Sequence, residues 1–139
     1  MKRQEIIENV VTTLKAISDF GSTKVSTKFV TPEQLSSTKF PYAIVKGGTE
    51  TDRRYEGARV VSFFSVIIYV WVDTKNDADP EKTVNTLLNK IETELEKDLF
   101  RGGNAMNTTI IEITTDEGWT APYSMARIEV QCEYYEQKQ

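Results

Sequence analysis

The sequence predicts an α+β fold: a mainly antiparallel sheet with two main helices packed on one face, a two-layer sandwich. Three observations lead there. Two segments, Ile6 to Ile17 and Val84 to Leu99, carry apolar residues at helical spacing; other segments alternate at strand spacing or are rich in β-branched residues; and short turns join consecutive strands, as antiparallel hairpins require. A chain of 139 residues can remove roughly two-thirds of its unfolded surface from water as one unit, so a single domain over 1–139 is expected.

The first helix is expected from about Arg3 to Ser18. Ile6, Ile7, Val10, Val11, Leu14 and Ile17 share one face, and Phe20-Gly21 ends it, because glycine takes the left-handed conformation that closes a helix. Val25, Thr27 and Phe29 then alternate with polar residues in a short strand. Thr31-Pro32-Glu33-Gln34 has the form of a helix start, but Ser36, Ser37 and Pro41 allow one turn at most. Tyr42 to Val45 reads as a strand bounded by Pro41 and Gly47-Gly48. Thr49 to Arg59 is dense in charge, with Tyr55 and Ala58 its only apolar residues, and is expected to project as an arm, either a hairpin or a mobile loop.

Val60 to Asp73 is the strongest strand signal, and it is apolar on both alternating faces. Such a strand needs cover on two sides, either from a central place in a layered domain or from a neighbouring subunit. After a polar turn, Asp79-Pro80-Glu81 supplies a cap, a first-position proline and an early acid for a second helix. Val84, Leu87, Leu88, Ile91, Leu95 and Leu99 line its inner face, and Arg101-Gly102-Gly103 stops it. Asn107 to Thr115 suits a strand. Ala126, Ile128, Val130, Cys132 and Tyr134 alternate with Arg127, Glu129, Gln131 and Glu133 in a half-buried strand, and 136–139 form a polar tail.

Composition excludes more than it selects. Seventeen basic against 21 acidic side chains leave a net charge of −4, which disfavours nucleic acid as the main ligand. Histidine is absent, removing the usual neutral-pH base and the commonest neutral metal ligand. The single cysteine, Cys132, can neither form an intrachain disulfide nor build a zinc site; in an alternating apolar series it reads as a core thiol. Glu8, Thr12, Thr13 and Lys15 interrupt any signal-peptide segment, and Val60 to Val72 is too short for a membrane-spanning helix, so neither export nor a membrane is expected.

No constellation selects a reaction. Asp73, Asn76, Asp77 and Asp79 crowd one loop, but Lys75 occupies an expected calcium-ligand position, and a solvated turn with a helix cap accounts for them. Gly47-Gly48 and Gly102-Gly103 lack the strand–loop–helix setting of a phosphate cradle. The expectation is therefore a non-enzyme without catalytic residue, metal or cofactor. Candidate interface residues are Arg53, Arg54, Tyr55 and Arg59 in the arm, where arginine and tyrosine suit contact with protein or with passing DNA, although a solvated hairpin tip explains them too. Trp119 is a large ring in a turn, packed on the core or on a partner, and Arg127 and Glu129 on the polar face of the last strand are either solvated or at a subunit boundary.

The layout over nearly the whole chain resembles the bacteriophage tail terminator family, also called tail-completion or minor tail proteins. The resemblance lies in the amphipathic first helix ending near Ile17, the Pro41-Tyr42-Ala43-Ile44-Val45 strand, the charged arm, the long strand Val60 to Asp73, the capped helix Pro80 to Leu99 and two closing strands ending at Tyr134. It implies a structural virion protein, made in the host cytoplasm, that forms a homo-oligomeric ring of six at the head-proximal end of the tail tube. There it would end tube polymerisation and present a surface to the head or neck, so its partners would be itself, the tail tube protein and a neck or head-completion protein, with DNA passing transiently through the lumen. Another head-to-tail joining protein of the neck, or a cytoplasmic α+β adaptor domain, are the alternatives. Deleting Glu50 to Gly57 is expected to leave the chain folded and to impair assembly.

Overall fold

The computed structural model describes residues 2–116 and 122–137. Its elements are α1 (Lys2–Lys15), β1 (Val25–Ser26), β2 (Tyr42–Glu56), β3 (Arg59–Asp73), α2 (Pro80–Glu96), β4 (Asn107–Thr115) and β5 (Tyr123–Gln137), with short 3₁₀ turns at Gly21–Thr23, Pro32–Gln34 and Ser37–Lys39. The strands form one sheet in the order β1-β2-β3-β5-β4, antiparallel except for β1, which runs parallel to β2. The fold class is thus α+β, as the periodicities predict, and both helices lie on one face.

That face is built from every second residue. Ala43 and Val45 of β2, Phe64 to Val72 at even positions of β3, and Ala126, Ile128, Val130, Cys132 and Tyr134 of β5 form the core with Ile6, Val10 and Leu14 of α1. Helix α2 adds Val84, Leu87, Leu88, Ile91 and Leu95, all buried, each worth about 2 kcal/mol of transfer from water. Its start is fixed locally. Asp79 Oδ1 accepts from the Lys82 amide at 3.2 Å, and Asp77 accepts from the Asp79 amide at 2.9 Å and from the Thr83 hydroxyl at 2.5 Å. Those bonds, the Thr83 one first, hold the Asp77 carboxyl below its ordinary pKa.

The structure moves several boundaries. Helix α1 stops at Lys15 because the Ala16 amide is shared between the Thr12 and Thr13 carbonyls and the Ile17 amide turns to Leu14, tightening the end. The strand through Val25, Thr27 and Phe29 shrinks to two residues, since the Ser26 hydroxyl accepts the Lys28 amide and turns the chain away. Phe29 therefore leaves the core and meets Tyr69 edge-on, with ring centroids 5.6 Å apart. The Trp71 indole donates to the Val30 carbonyl at 3.1 Å. In this way the chain itself covers part of the second apolar face of β3, while β2 and β5 flank that strand.

Strand β2 does not end at Gly47-Gly48. A register shift falls between Gly47 and Glu50, and a Cβ on Gly47 would lie 3.1 Å from Phe64 Cζ and 3.3 Å from Ile7 Cδ1. The glycines admit core side chains close to a bulged strand rather than breaking it. Residues 49–56 therefore continue β2, and the two-residue turn Gly57-Ala58 returns the chain with Glu56 opposite Arg59. Of the two forms left open for the arm, the structure has the hairpin.

Helix α2 ends at Glu96, earlier than the apolar spacing suggests, and Leu99 is exposed. The last turn tightens at Lys97, whose amide donates to the Glu94 and Leu95 carbonyls, and the chain reverses further on, at Arg101, Gly102 and Gly103, with φ of 49°, 67° and 89°. Arg101 is fully buried, and its Nη2 donates to the carbonyls of Leu95 and Asp98. Burial lowers its pKa, opposed in part by Cys132 and Asp98. Strand β5 runs to Gln137, so Glu136 and Gln137 extend the sheet opposite Val60 and Arg59.

Candidate functional site

The β2–β3 hairpin is anchored at its base by Glu50. On β2 this residue sits opposite Phe64 and points to the helix-bearing side. Its carboxylate accepts from Arg53 Nη1 at 2.5 Å and from the Tyr134 hydroxyl of β5, and pairs with Arg3 Nε of α1 at 3.5 Å. Burial alone would raise the Glu50 pKa, but the bonds from Tyr134 and Arg53 and the charges of Arg3 and Arg53 hold it below its ordinary value. The complement appears on Tyr134, whose pKa burial and the Glu50 carboxylate push up to about 12.

Beyond this anchor, residues 51–58 are exposed wherever their side chains are described. The hairpin end brings together four of the candidate interface residues. Arg53 turns back to Glu50, Arg59 pairs with Glu56 at 2.9 Å and lies 4.8 Å from the Tyr135 ring centroid, and Arg54 and Tyr55 face solvent, Tyr55 with 74% of its surface exposed. The tip thus offers a fixed aromatic and a guanidinium on a supported strand pair, the type of group that anchors protein interfaces.

Arg127 and Glu129 belong to a different region. They stand on the face of β5 away from the helices, opposite Tyr69 and Ile67, about 26 Å along β3 from the hairpin end at ~3.3 Å per residue. Arg127 bridges Glu112 of β4 at 3.3 Å and Glu129 at 3.4 Å, and the Ser65 hydroxyl donates to Glu129 at 3.2 Å. Burial would lower the Arg127 pKa, yet hydrogen bonding with Tyr69 and the Glu129 charge raise it. Glu112 and Glu129 face each other directly across the ladder, and Arg127 neutralises that like-charge pair. Trp119 lies outside the described residues.

Sequence reasoning missed the Glu50 anchor, because it needs three elements distant in the chain to converge. It also missed that Arg101, expected as a cation closing a helix, is the largest fully buried side chain among the described residues. Exposed apolar side chains collect near β4: Phe100, Met106, Ile111 and Ile113. The Cys132 thiol is buried, with the Thr108 hydroxyl 3.9 Å away, and burial raises its pKa. Among the described residues no cluster of three His, Cys, Asp or Glu side chains is placed to hold a metal ion, and no helix is long and apolar enough to cross a membrane.

Comparison with known proteins gives this geometry a context. A family model described as Bacteriophage Tail Tube Terminator Protein matches residues 4–139. Tail tube terminator protein p142 of Escherichia phage T5 is 29% identical over 113 residues, covering 69% of this chain and 66% of that relative, just under two-thirds of its length. Among solved structures, a chain of the virion of a native gene transfer agent particle superposes with a TM-score of 0.53 at 10% identity, over 91% of this chain and 92% of that one. At that identity the likeness is one of fold alone. With the family model matching almost from end to end, the chain belongs to the bacteriophage tail tube terminator family.

Proposed function

We propose that the chain is a structural protein of the virion that assembles with copies of itself into a closed ring of six at the head-proximal end of the tail tube. The ring ends tube polymerisation, presents a surface to a neck or head-completion protein, and leaves a lumen for DNA. The observation that carries this reading is the hairpin of residues 49–59, whose base is tied by Glu50 to α1 and β5 while Arg54 and Tyr55 are held out in solvent. An arm fixed at the root and exposed at the tip reaches a neighbouring surface with little ordering cost on contact. Membership of the tail tube terminator family supports the same reading.

The test is the mass of the purified chain in solution by light scattering, with negative-stain images of the same fraction, repeated after mixing with tail tubes. Closed rings, free or at one end of the tubes, are the expected result. A chain that stays monomeric and leaves tube growth unchanged overturns the proposal.

A further inference from the structure

We propose that copies of this chain join head to tail through opposite edges of the sheet, the β4–α2 edge of one copy docking on the β1–β2 edge of the next. The inference rests on the ring reading above and names the surfaces that close the ring.

The two edges carry opposite charge. Strand β4 is terminal in the sheet. Glu81 of α2 borders a groove with Thr115 and Asp116 at the end of β4, which fixes the flank of the helix turned toward that strand. Helical spacing puts Glu92 and Glu96 on the same flank, whereas Lys90, paired with Asp19 at 3.0 Å, lies on the flank toward α1. Glu112 on β4 is bridged by Arg127 at 3.3 Å, so the acidity of this edge rests on Glu81, Glu92 and Glu96. From residue 98 to residue 116 the one basic residue is Arg101, and it is fully buried. No positive charge from that stretch reaches the surface.

The opposite edge is basic. Residues 24–54 hold six lysines and arginines against three acids, Glu33, Glu50 and Asp52; Glu50 and Arg53 pair with each other, which leaves Lys24, Lys28, Lys39, Lys46 and Arg54 against Glu33 and Asp52. Lys24 and Lys46 donate to the Phe40 and Thr27 carbonyls, at 3.3 and 2.8 Å, so their charge is not cancelled there by a carboxylate. Beside them, β1 covers only Ala43 and Ile44 of β2, leaving the outer side of β2 from Val45 onward without a strand.

Each edge also has apolar surface for the other. Ile111, turned out at a register shift in β4, is 46% exposed and Phe100 61% exposed; Phe29, in the segment after β1, is 49% exposed. Two acidic edges facing each other would repel, as would two basic ones, whereas acid against base attracts and sets orientation. A contact between two different patches of the same chain is heterologous, and repeated rotation through it closes a ring.

The experiment uses paired charge reversals in the full chain. Glu92→Lys with Glu96→Lys places two cations on the acidic edge, facing the basic edge of the next copy; Lys28→Glu with Lys46→Glu places two anions on the basic edge, facing the acidic one. Each variant is first checked for an unchanged thermal transition. Alone, at low salt, each is expected to lose ring assembly by at least about tenfold, while an equimolar mixture of the two, or one chain carrying all four reversals, recovers it. Reversal variants that form rings as readily as the wild type overturn this inference and leave the ring reading standing. Variants that fail alone and also fail when mixed overturn it as well. A wild type that forms no ring, alone or on tubes, removes both.

Discussion

The Tyr134 hydroxyl of β5 donates to the Glu50 carboxylate of β2 across the intervening strand β3. Ser62, a small buried residue, stands opposite Tyr134 on that strand. The bond joins the root of the exposed hairpin to the closing strand, and through Arg3 to the first helix.

Removing the donor with Tyr134→Phe is expected to cost about 2 kcal/mol, the range for a hydrogen bond to a charged group. Glu50→Gln should cost a similar amount, and the double variant less than the sum. Urea unfolding of the four proteins measures this, and strictly additive losses would show that the two groups act separately.

The pair also sets opposite limits in pH. Glu50 has its folded pKa below the ordinary 4.5, so its contribution is complete above that value and is lost as pH falls through the depressed folded value. Tyr134 has its folded pKa raised from 10.0 to about 12, so its contribution is complete below 10.0 and is lost as pH rises through about 12. Wild type minus Glu50→Gln should therefore shrink in acid, and wild type minus Tyr134→Phe should shrink in strong alkali. Stability differences that stay constant from acid to alkali would contradict the assignment.

Arg101 ties down the end of α2 from inside the core. Arg101→Ala is expected to destabilise the chain by about 3 kcal/mol, because it opens a cavity and frees the Leu95 and Asp98 carbonyls. Arg101→Lys should not restore stability, since the lysine chain is one bond shorter and its ammonium falls short of the position from which Nη2 reaches both carbonyls. Thermal melting decides, and a lysine variant as stable as the wild type would show that charge alone matters.

Close packing at the bulge makes Gly47 intolerant. Gly47→Val should destabilise by about 2 kcal/mol through contact with Phe64 and Ile7, whereas Gly57→Ala should cost about 1 kcal/mol for its φ of +64° alone, with open space around it. A reversed order in urea unfolding would argue against the close approach at Gly47.

At the tip, Arg54→Ser with Tyr55→Ser should change stability by less than about 0.5 kcal/mol, as exposed positions do, and should reduce assembly with tail tubes. Substitution is a cleaner probe than deleting Glu50 to Gly57, which would also remove the Glu50 anchor. Wild-type yields of completed tails from the double variant would remove the arm from the assembly reading.

The sequence by itself determined the elements whose signal is local, in spacing, composition or capping. The buried faces of α1 and α2 and the alternation of β5 follow from spacing, because a buried stripe or face imposes its period on the chain, whereas β3 and β4 follow from their enrichment in β-branched and aromatic residues and the start of α2 from its capping residues. Interruptions were misleading. Gly47-Gly48 reads as a strand end and is a bulge, and Leu99 continues a helical pattern that the helix has already left, since local spacing does not reveal what approaches from elsewhere. Only the tertiary structure decided that Glu50, Arg3 and Tyr134 meet, that Arg101 is buried, and that acidic and basic side chains separate onto opposite sheet edges. Those relations depend on strand order and register, which are set by the burial of the sheet as a whole and are carried by no single stretch of sequence.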